Sequence, residues 1–155
     1  LAYEAAVAGG IPVIKTLREA LAGNKITRVC GILNGTCNYI LSQMESTGLS
    51  FDAALRDAQA LGFAEAEPEL DISGMDAAQK LSLLAGLAFN IQPDTSLISV
   101  TGIEAITDQD ISYAGEFNSV IRLSGLAAET PDGLVQCVSP MLVRRDHMLA
   151  QVKNE

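Results

Sequence analysis

The sequence has few of the features that mark secreted, membrane-spanning or disulfide-stapled chains. Its three cysteines, Cys30, Cys37 and Cys137, are odd in number and lack CxxC spacing, so a disulfide framework is not expected. We interpret them as small core hydrophobes in a reducing compartment, which predicts a cytoplasmic protein. No apolar run approaches the roughly 20 residues that cross a bilayer. No basic start followed by an apolar signal core is visible either.

Positive charge is also scarce. Ten Lys and Arg residues stand against 19 Asp and Glu residues, which gives a net charge of −9. Nucleic acids and anionic membranes need cationic partners, so neither is expected to bind, whereas a small cationic or zwitterionic ligand is compatible. The 155 residues fit one domain, and a hydrophobic content of 48% is enough for a sizeable core.

Neither end of the chain looks like a natural boundary. The sequence begins at Leu1 without an initiator Met and stops at Glu155, so we expect a fragment of a longer protein. It contains no GxGxxG after a strand and therefore no dinucleotide fingerprint of its own.

Hydrophobic periodicity predicts a helical first half. Apolar spacing with start and stop signals predicts helices over residues 11–22, 36–46, 51–61 and 73–89. The last of these opens with Ser73 and Asp76, a spacing close to a capping box. Residues 63–72 are polar, contain a proline and lack helical period, so they are predicted to form a loop.

The second half is predicted to be rich in strands. Strand-like runs cover residues 97–103, 119–128 and 134–143, in addition to an early run at 26–33. Thr107 is predicted to cap a short helix over 108–116, and residues 129–133 carry the Pro and Gly of a tight turn. These elements predict an α+β fold in which helices cover a mixed or antiparallel sheet.

Asp76 and Lys80 are the main catalytic candidates, because their i,i+4 spacing puts both on one face of a helix. One interpretation is a surface ion pair worth about 0.3–0.5 kcal/mol. The other starts from the apolar character of the helix, on which Lys80 is the only Lys or Arg. A partly desolvated lysine beside a carboxylate can pass a proton to or from a hydroxyl or carbonyl oxygen.

Four carboxylates alternate just before this helix, at Glu65, Glu67, Glu69 and Asp71. They fit a solvated acidic loop, a divalent metal site, or a site for an ammonium group held by charge-assisted hydrogen bonds. An EF-hand is excluded, because Ile72 stands where that loop needs glycine.

Weaker candidates lie elsewhere. Residues 34–36 predict a strand-to-helix turn whose backbone N–H groups face an anion or a cofactor. Gly9-Gly10 is either a helix entry or a turn with carbonyls free for a cation. His147 stands alone and is expected at the surface, and Cys37 has no histidine in a recognisable nucleophile motif.

Two neighbouring strings carry a resemblance to a known family. Residues 62–68 read GFAEAEP and residues 71–80 read DISGMDAAQK. Together they resemble the homoserine dehydrogenase signature, G-[YF]-x-E-x-[DE]-P followed by D-x-x-G-x-D-x-x-x-K. Residues 4–12 (EAAVAGGIP) and 31–40 (GILNGTCNYI) resemble two further segments of that family, so the resemblance covers essentially the whole chain.

The resemblance implies NAD- or NADP-dependent interconversion of homoserine and aspartate 4-semialdehyde, in threonine and methionine biosynthesis. Lys80 resembles the family's acid/base lysine and Asp76 the carboxylate beside it. The other implied positions fall into three groups. They are the substrate-site residues Glu65, Asp71, Asp76, Gly35, Thr36 and Phe63, the cofactor-contacting Gly62, and a sodium site of Glu4 with the carbonyls of Val7, Gly9 and Ile11.

The resemblance also sets the expected organisation. Residues 1–155 match the catalytic, substrate-binding domain, and the nucleotide-binding Rossmann domain is not among them, so the piece alone is expected to be inactive. A homodimer is expected, because the family's sheet is also its subunit interface. Phe63 and Glu67 depart from the commoner Tyr and Asp. Two alternatives remain open: a non-catalytic dimerisation or binding module, and an oxidoreductase acting on another aldehyde.

Overall fold

The computed structural model describes residues 3–153. Leu1, Ala2, Asn154 and Glu155 lie outside the described residues. The expectation that the chain is a fragment concerns these two ends. The helices are α1 (Val13–Lys15), which continues as a π-helical turn Thr16–Ala20, α2 (Gly35–Thr47), α3 (Phe51–Ala60), α4 (Glu69–Ile72), α5 (Met75–Phe89) and α6 (Asp108–Glu116). The strands are β1 (Arg28–Gly31), β2 (Ser99–Val100), β3 (Ser119–Thr130) and β4 (Gly133–Arg144). Short 3-10 turns cover Glu4–Ala6, Thr95–Leu97 and Met148–Gln151.

The four strands form one mixed sheet in the order β1-β3-β4-β2. β3 and β4 are a long antiparallel hairpin, in register from Ser119 opposite Arg144 to Thr130 opposite Gly133. β1 pairs with β3 antiparallel, and β2 pairs with β4 parallel. The predicted α+β class with a mixed sheet covered by helices is therefore confirmed. No helix within residues 3–153 is both long and apolar enough to cross a membrane.

The core lies between one face of the sheet and helices α2 and α5. The sheet contributes Ile121, Leu123 and Ala127 of β3 and Val138 of β4, all buried. The helices contribute buried side chains that recur at helical spacing, namely Cys37, Ile40, Leu41 and Met44 of α2 and Ala77, Ala78, Leu81 and Ala85 of α5. The first turns of α2 and α5 are thereby fixed against the same sheet.

Two predicted cap positions are confirmed. The side chain of Ser50 accepts from Ala53 N at the start of α3. Thr107 forms a complete capping box with Asp110, so α6 begins where the sequence predicts. Both caps satisfy N–H groups that a helix start leaves without a partner.

The segment that leads into α5 differs from the prediction. The predicted loop 63–72 contains a helical turn, α4, which is too short to show helical period and has acidic residues at its favourable N-terminal end. The predicted capping box at Ser73 is wrong. Gly74 is the N-cap with a φ of 84°, no side chain caps the helix, and α5 begins at Met75.

Two other elements, a strand and a helix, are much shorter than the sequence predicts, whereas β3 and β4 extend slightly beyond their predicted ends. The predicted strand 97–103 is only two residues, Ser99 and Val100, because the chain then turns towards α4. Ile103 N donates to Ile72 O at 2.8 Å, and a side chain at Gly102 would overlap that same carbonyl. The predicted helix 11–22 is helical only from Val13 to Ala20.

Candidate active site

Lys80 and Asp76 form the ion pair that their spacing predicts. The Lys80 ammonium Nζ donates to Asp76 Oδ2 at 2.6 Å, and the two side chains are only 29% and 22% exposed. The neighbouring helix residues Ala77, Ala78 and Leu81 are buried. The pair is therefore partly withdrawn from water, which favours the proton-transfer interpretation over an ordinary surface pair.

Asn34 connects this pair to a second carboxylate. Its amide Nδ2 donates to Asp76 Oδ2 at 2.8 Å and to Asp71 Oδ1 at 2.7 Å. Its amide oxygen caps α2 by accepting from Cys37 N at 2.8 Å. The sequence predicts only a turn at this position. An Asn directly before a predicted helix indicates a cap but not the contacts made by the other end of the amide.

Cys37, in the first turn of α2, contacts the backbone of the same cluster. Its thiol is buried and donates to the backbone carbonyl of Asp71 at 3.1 Å. Burial, and after it the charges of Asp71, Asp76 and Glu104, raise the pKa of this thiol. The thiol therefore stays protonated as a hydrogen-bond donor, which argues against a nucleophilic role.

The start of α2 is tied to the segment after α3. Thr36 donates its hydroxyl to Phe63 O at 2.8 Å, and the Phe63 ring stacks on Tyr39 with centroids 4.3 Å apart. Phe63 remains 46% exposed. The predicted site residues Gly35, Thr36 and Phe63 thus lie together beside Asn34.

Gly62 precedes Phe63 in a conformation that requires glycine. Its φ is +80°, and a Cβ built there would meet no atom within 4 Å. The glycine is therefore required by the backbone and not by crowding. The open space leaves the Gly62 backbone accessible to a ligand, which fits a contact with a cofactor.

Glu65 is not brought into the cluster by any hydrogen bond. Gln59 Nε2 donates to its backbone carbonyl at 3.1 Å, and its exposed carboxylate has no partner within the described residues. Glu67 and Glu69 are exposed too, so only Asp71 of the four alternating carboxylates is half-buried. Within residues 3–153 no three His, Cys, Asp or Glu side chains are grouped to hold a metal ion.

The N-terminal segment lies along the same cleft as Lys80. Glu4 caps α1, because its carboxylate oxygens accept from Ile14 N and Lys15 N at 2.9 Å each. The carbonyls of Val7 and Gly9 accept no backbone hydrogen bond in the described part of the chain. The Ile11 carbonyl accepts from Val13 N at 2.8 Å, so of the four predicted sodium ligands only the carbonyls of Val7 and Gly9 have no hydrogen-bond partner among the described residues.

A cleft of about 660 Å³ runs past Lys80. Its lining includes Asn34, Gly35 and Lys80 together with Gly9 and Ile11, whereas Gly62, Phe63, Glu65, Asp71 and Asp76 are not among the lining residues. Sites for small molecules typically measure about 300–1,000 Å³ and combine apolar walls with a few polar groups. The cleft therefore has the size and character of a site for a small polar ligand.

Comparison with known proteins identifies the family. A model described as homoserine dehydrogenase matches residues 12–155. The homoserine dehydrogenase of Helicobacter pylori is 47% identical over 98% of this chain and 36% of its own length. A homoserine dehydrogenase structure from Thiobacillus denitrificans matches with a TM-score of 0.96 and 45% identity, covering 98% of this chain and 35% of that one. A hyperthermophilic archaeal homoserine dehydrogenase mutant in complex with NADPH matches with a TM-score of 0.79 and 28% identity, covering 97% of this chain and 42% of that one.

This chain spans about a third of the length of the curated relatives it matches. The family match nevertheless covers far more than half of the chain, and the resemblance seen in the sequence is confirmed. The chain belongs to the homoserine dehydrogenase family.

Proposed function

We propose that residues 1–155 are the substrate-binding and catalytic domain of an enzyme that interconverts L-homoserine and L-aspartate 4-semialdehyde with NAD or NADP. The observation that carries the proposal is the half-buried Lys80–Asp76 ion pair, joined through Asn34 to Asp71, in a chain of this family. The non-catalytic alternative is not favoured, since a pure interface module has no need of a partly desolvated lysine beside a carboxylate.

Lys80 moves the proton in this proposal. In the reducing direction hydride adds to the aldehyde carbon, the C=O π pair moves to oxygen, and the Lys80 ammonium gives that oxygen a proton. In the oxidising direction the neutral Lys80 amine takes the hydroxyl proton as hydride leaves the carbon. Asp76 holds Nζ in place for the transfer in both directions. The nicotinamide, when bound, supplies or accepts the hydride.

Carboxylates bind the amino group of the substrate. Glu65 has an exposed carboxylate that is free to pair with an α-ammonium, and Asp71 has one oxygen not taken by Asn34. Gly35, Thr36 and Phe63 line the site beside them. Gly62 lies next to the cofactor, for which its open backbone leaves room.

The proposal also includes a sodium ion, a homodimer and a location in the cytoplasm. Glu4 with the carbonyls of Val7, Gly9 and Ile11 would hold a sodium ion. A homodimer would cover apolar side chains exposed on β4 and directly after α6, such as Leu142 at 62% and Phe117 at 72%. The enzyme would act in the cytoplasm in threonine and methionine biosynthesis, where the free thiols of the chain are stable.

An assay of the full-length protein tests the proposed reaction. We expect oxidation of L-homoserine and reduction of aspartate 4-semialdehyde, followed through the absorbance of the nicotinamide, with NAD and NADP tried separately. The matched substrate control is the deaminated alcohol, homoserine without its amino group, which should react poorly. Equal turnover of both alcohols would overturn the assignment of an amino-acid substrate, and no turnover of homoserine would overturn the function itself.

A further inference from the structure

Both polar atoms of the buried Asn34 amide form hydrogen bonds. Its side chain is 3% exposed, its oxygen accepts one hydrogen bond, and its nitrogen donates two. An amide offers two N–H donors, and here one goes to Asp71 of α4 and the other to Asp76 of α5. A single side chain therefore joins the start of α2 to both acidic elements of the candidate site.

The two acceptor oxygens are distributed in a specific way. Asp76 Oδ2 accepts from Asn34 at 2.8 Å and from Lys80 at 2.6 Å, so the amide and the ammonium share one oxygen. Asp71 Oδ1 accepts from Asn34 at 2.7 Å. Within residues 3–153, Asp76 Oδ1 and Asp71 Oδ2 accept no hydrogen bond. One oxygen of each carboxylate is fixed, and the other is left for a ligand.

Charge explains why a neutral bridge is needed. Asp71 and Asp76 are like charges on separate elements, and each favours a position away from the other. Two N–H donors placed between them offset that repulsion and hold the two carboxylates on one amide group. A third carboxylate at this position would add repulsion, and an apolar side chain would leave two partly buried oxygens without donors.

We infer that Asn34 is a positioning residue for the proposed reaction: it sets the orientation of Asp76, and through Asp76 that of the Lys80 ammonium, while it holds Asp71 ready for the substrate. The inference rests on the proposed function. Asn34 itself transfers no proton. Its contribution is geometric, and misplacement of a reacting group by about 1 Å can cost on the order of 10²-fold in rate.

Two substitutions in the full-length enzyme separate this role from helix capping. Asn34→Ser keeps an oxygen that can cap α2, but its one hydroxyl cannot reach both carboxylates. We expect kcat to fall by about 10- to 100-fold, and the KM for homoserine to rise as well, because Asp71 loses its donor together with Asp76. Ser50→Ala removes the cap of α3, away from the site, and should lower the Tm without changing kcat.

Asn34→Asp keeps both the shape and the capping oxygen but loses the donors, so it remains informative if the serine variant does not fold. The introduced carboxyl would face Asp71 of α4, Asp76 and Lys80 of α5 and the Cys37 thiol of α2, with Glu104 beyond the thiol. We expect a larger loss of kcat at neutral pH than for the serine variant. Part of the loss should be recovered as the pH falls, because the introduced carboxyl can donate a hydrogen bond once it is protonated.

The outcomes distinguish the two proposals. If the parent enzyme turns over homoserine and Lys80→Ala does not, the function stands and the Asn34 variants decide the positioning role. That role is overturned if Asn34→Ser keeps kcat within a few-fold of the parent, or if Asn34→Asp loses activity equally at all pH values. If the parent has no activity with homoserine, the proposed function fails first, and the positioning role fails with it.

Discussion

Arg122 of β3 and Glu45 of α2 form an ion pair at 3.2 Å in which the arginine side chain is fully buried. Arg122 also donates to the carbonyls of Ile121 and Ala150, and the other oxygen of Glu45 pairs with Arg145 at 2.8 Å. This network ties the end of α2 to the hairpin and to the last 3-10 turn. It therefore fixes the helix whose other end carries Asn34.

Replacement of Glu45 should strongly destabilise the fold. Glu45→Ala leaves the Arg122 guanidinium buried without its counter-charge, and such a loss typically costs about 3–5 kcal/mol. Equilibrium denaturation followed by circular dichroism measures the change. The matched control is Asp146→Ala, which breaks an arginine pair whose side chains are 75% and 65% exposed and should have little effect. Similar losses for both variants would contradict the importance of the buried network.

Lys80→Ala should lower kcat of the full-length enzyme by at least about 10²-fold, as expected for the loss of general acid–base catalysis. Stability should change little, because the lysine is partly exposed and only its ion pair with Asp76 is lost. Lys80→Arg is the control, since arginine keeps the charge and the ion pair but does not release a proton near neutral pH. Activity of the arginine variant close to that of the parent would mean that position 80 supplies charge and not a proton.

The sequence is sufficient to predict elements that depend on local signals. The pair of Asp76 and Lys80 follows from helical spacing, and the start of α6 follows from the capping box at Thr107. Two strand-like runs separated by a turn with Pro and Gly likewise predict the long hairpin of β3 and β4. The family resemblance then indicates roles for residues whose chemistry the spacing leaves open.

Features that depend on distant contacts could not be predicted. Asn34 lies 37 and 42 positions from its two carboxylate partners, and Arg122 lies 77 positions from Glu45. The capping box expected at Ser73 is replaced by Gly74, whose positive φ lets the chain turn tightly between α4 and α5. Strand β2 ends early because Gly102 lies directly against Ile72, a contact that no local pattern indicates.

Glu65→Gln should mainly weaken the binding of homoserine. The substitution removes a charge partner of the α-ammonium group, and loss of a charge-assisted hydrogen bond should raise the KM for homoserine by about tenfold. The deaminated alcohol has no amino group, so its KM should change much less. Glu69→Gln is a suitable control, because Glu69 is also exposed and should leave both KM values unchanged. Equal effects on both substrates would assign Glu65 to structure or to the cofactor.

Asp110→Asn should lower the Tm at neutral pH, and the difference from the parent should disappear in acid. Hydrogen bonds from the side chain and backbone of Thr107 hold the pKa of the Asp110 carboxyl below its usual range. A lowered folded-state pKa contributes stability above the unfolded value of about 3.9, and that stability is lost as pH falls through the folded value. Asp108→Asn is the control, since Asp108 lies in the same first turn without bonding Thr107. A Tm difference that persists at low pH would contradict the linkage.

Residues 1–155 expressed alone should fold and self-associate, yet bind nicotinamide cofactor only weakly. Folding is expected because one continuous core joins both main helices to the sheet. Self-association is expected because Tyr113, Phe117 and Leu142 expose apolar surface around a groove of about 260 Å³. Weak binding is expected because the sequence has no GxGxxG turn, and Gly62 with the Gly35 turn can contact only part of a dinucleotide. Sedimentation tests the self-association, with Leu142→Asp as the variant expected to shift the chain towards monomer. Calorimetric titration with NAD(H) and NADP(H) tests the binding of cofactor.

Micromolar cofactor binding would place the main cofactor site within these residues, and a monomeric parent would remove the argument for an interface on this surface.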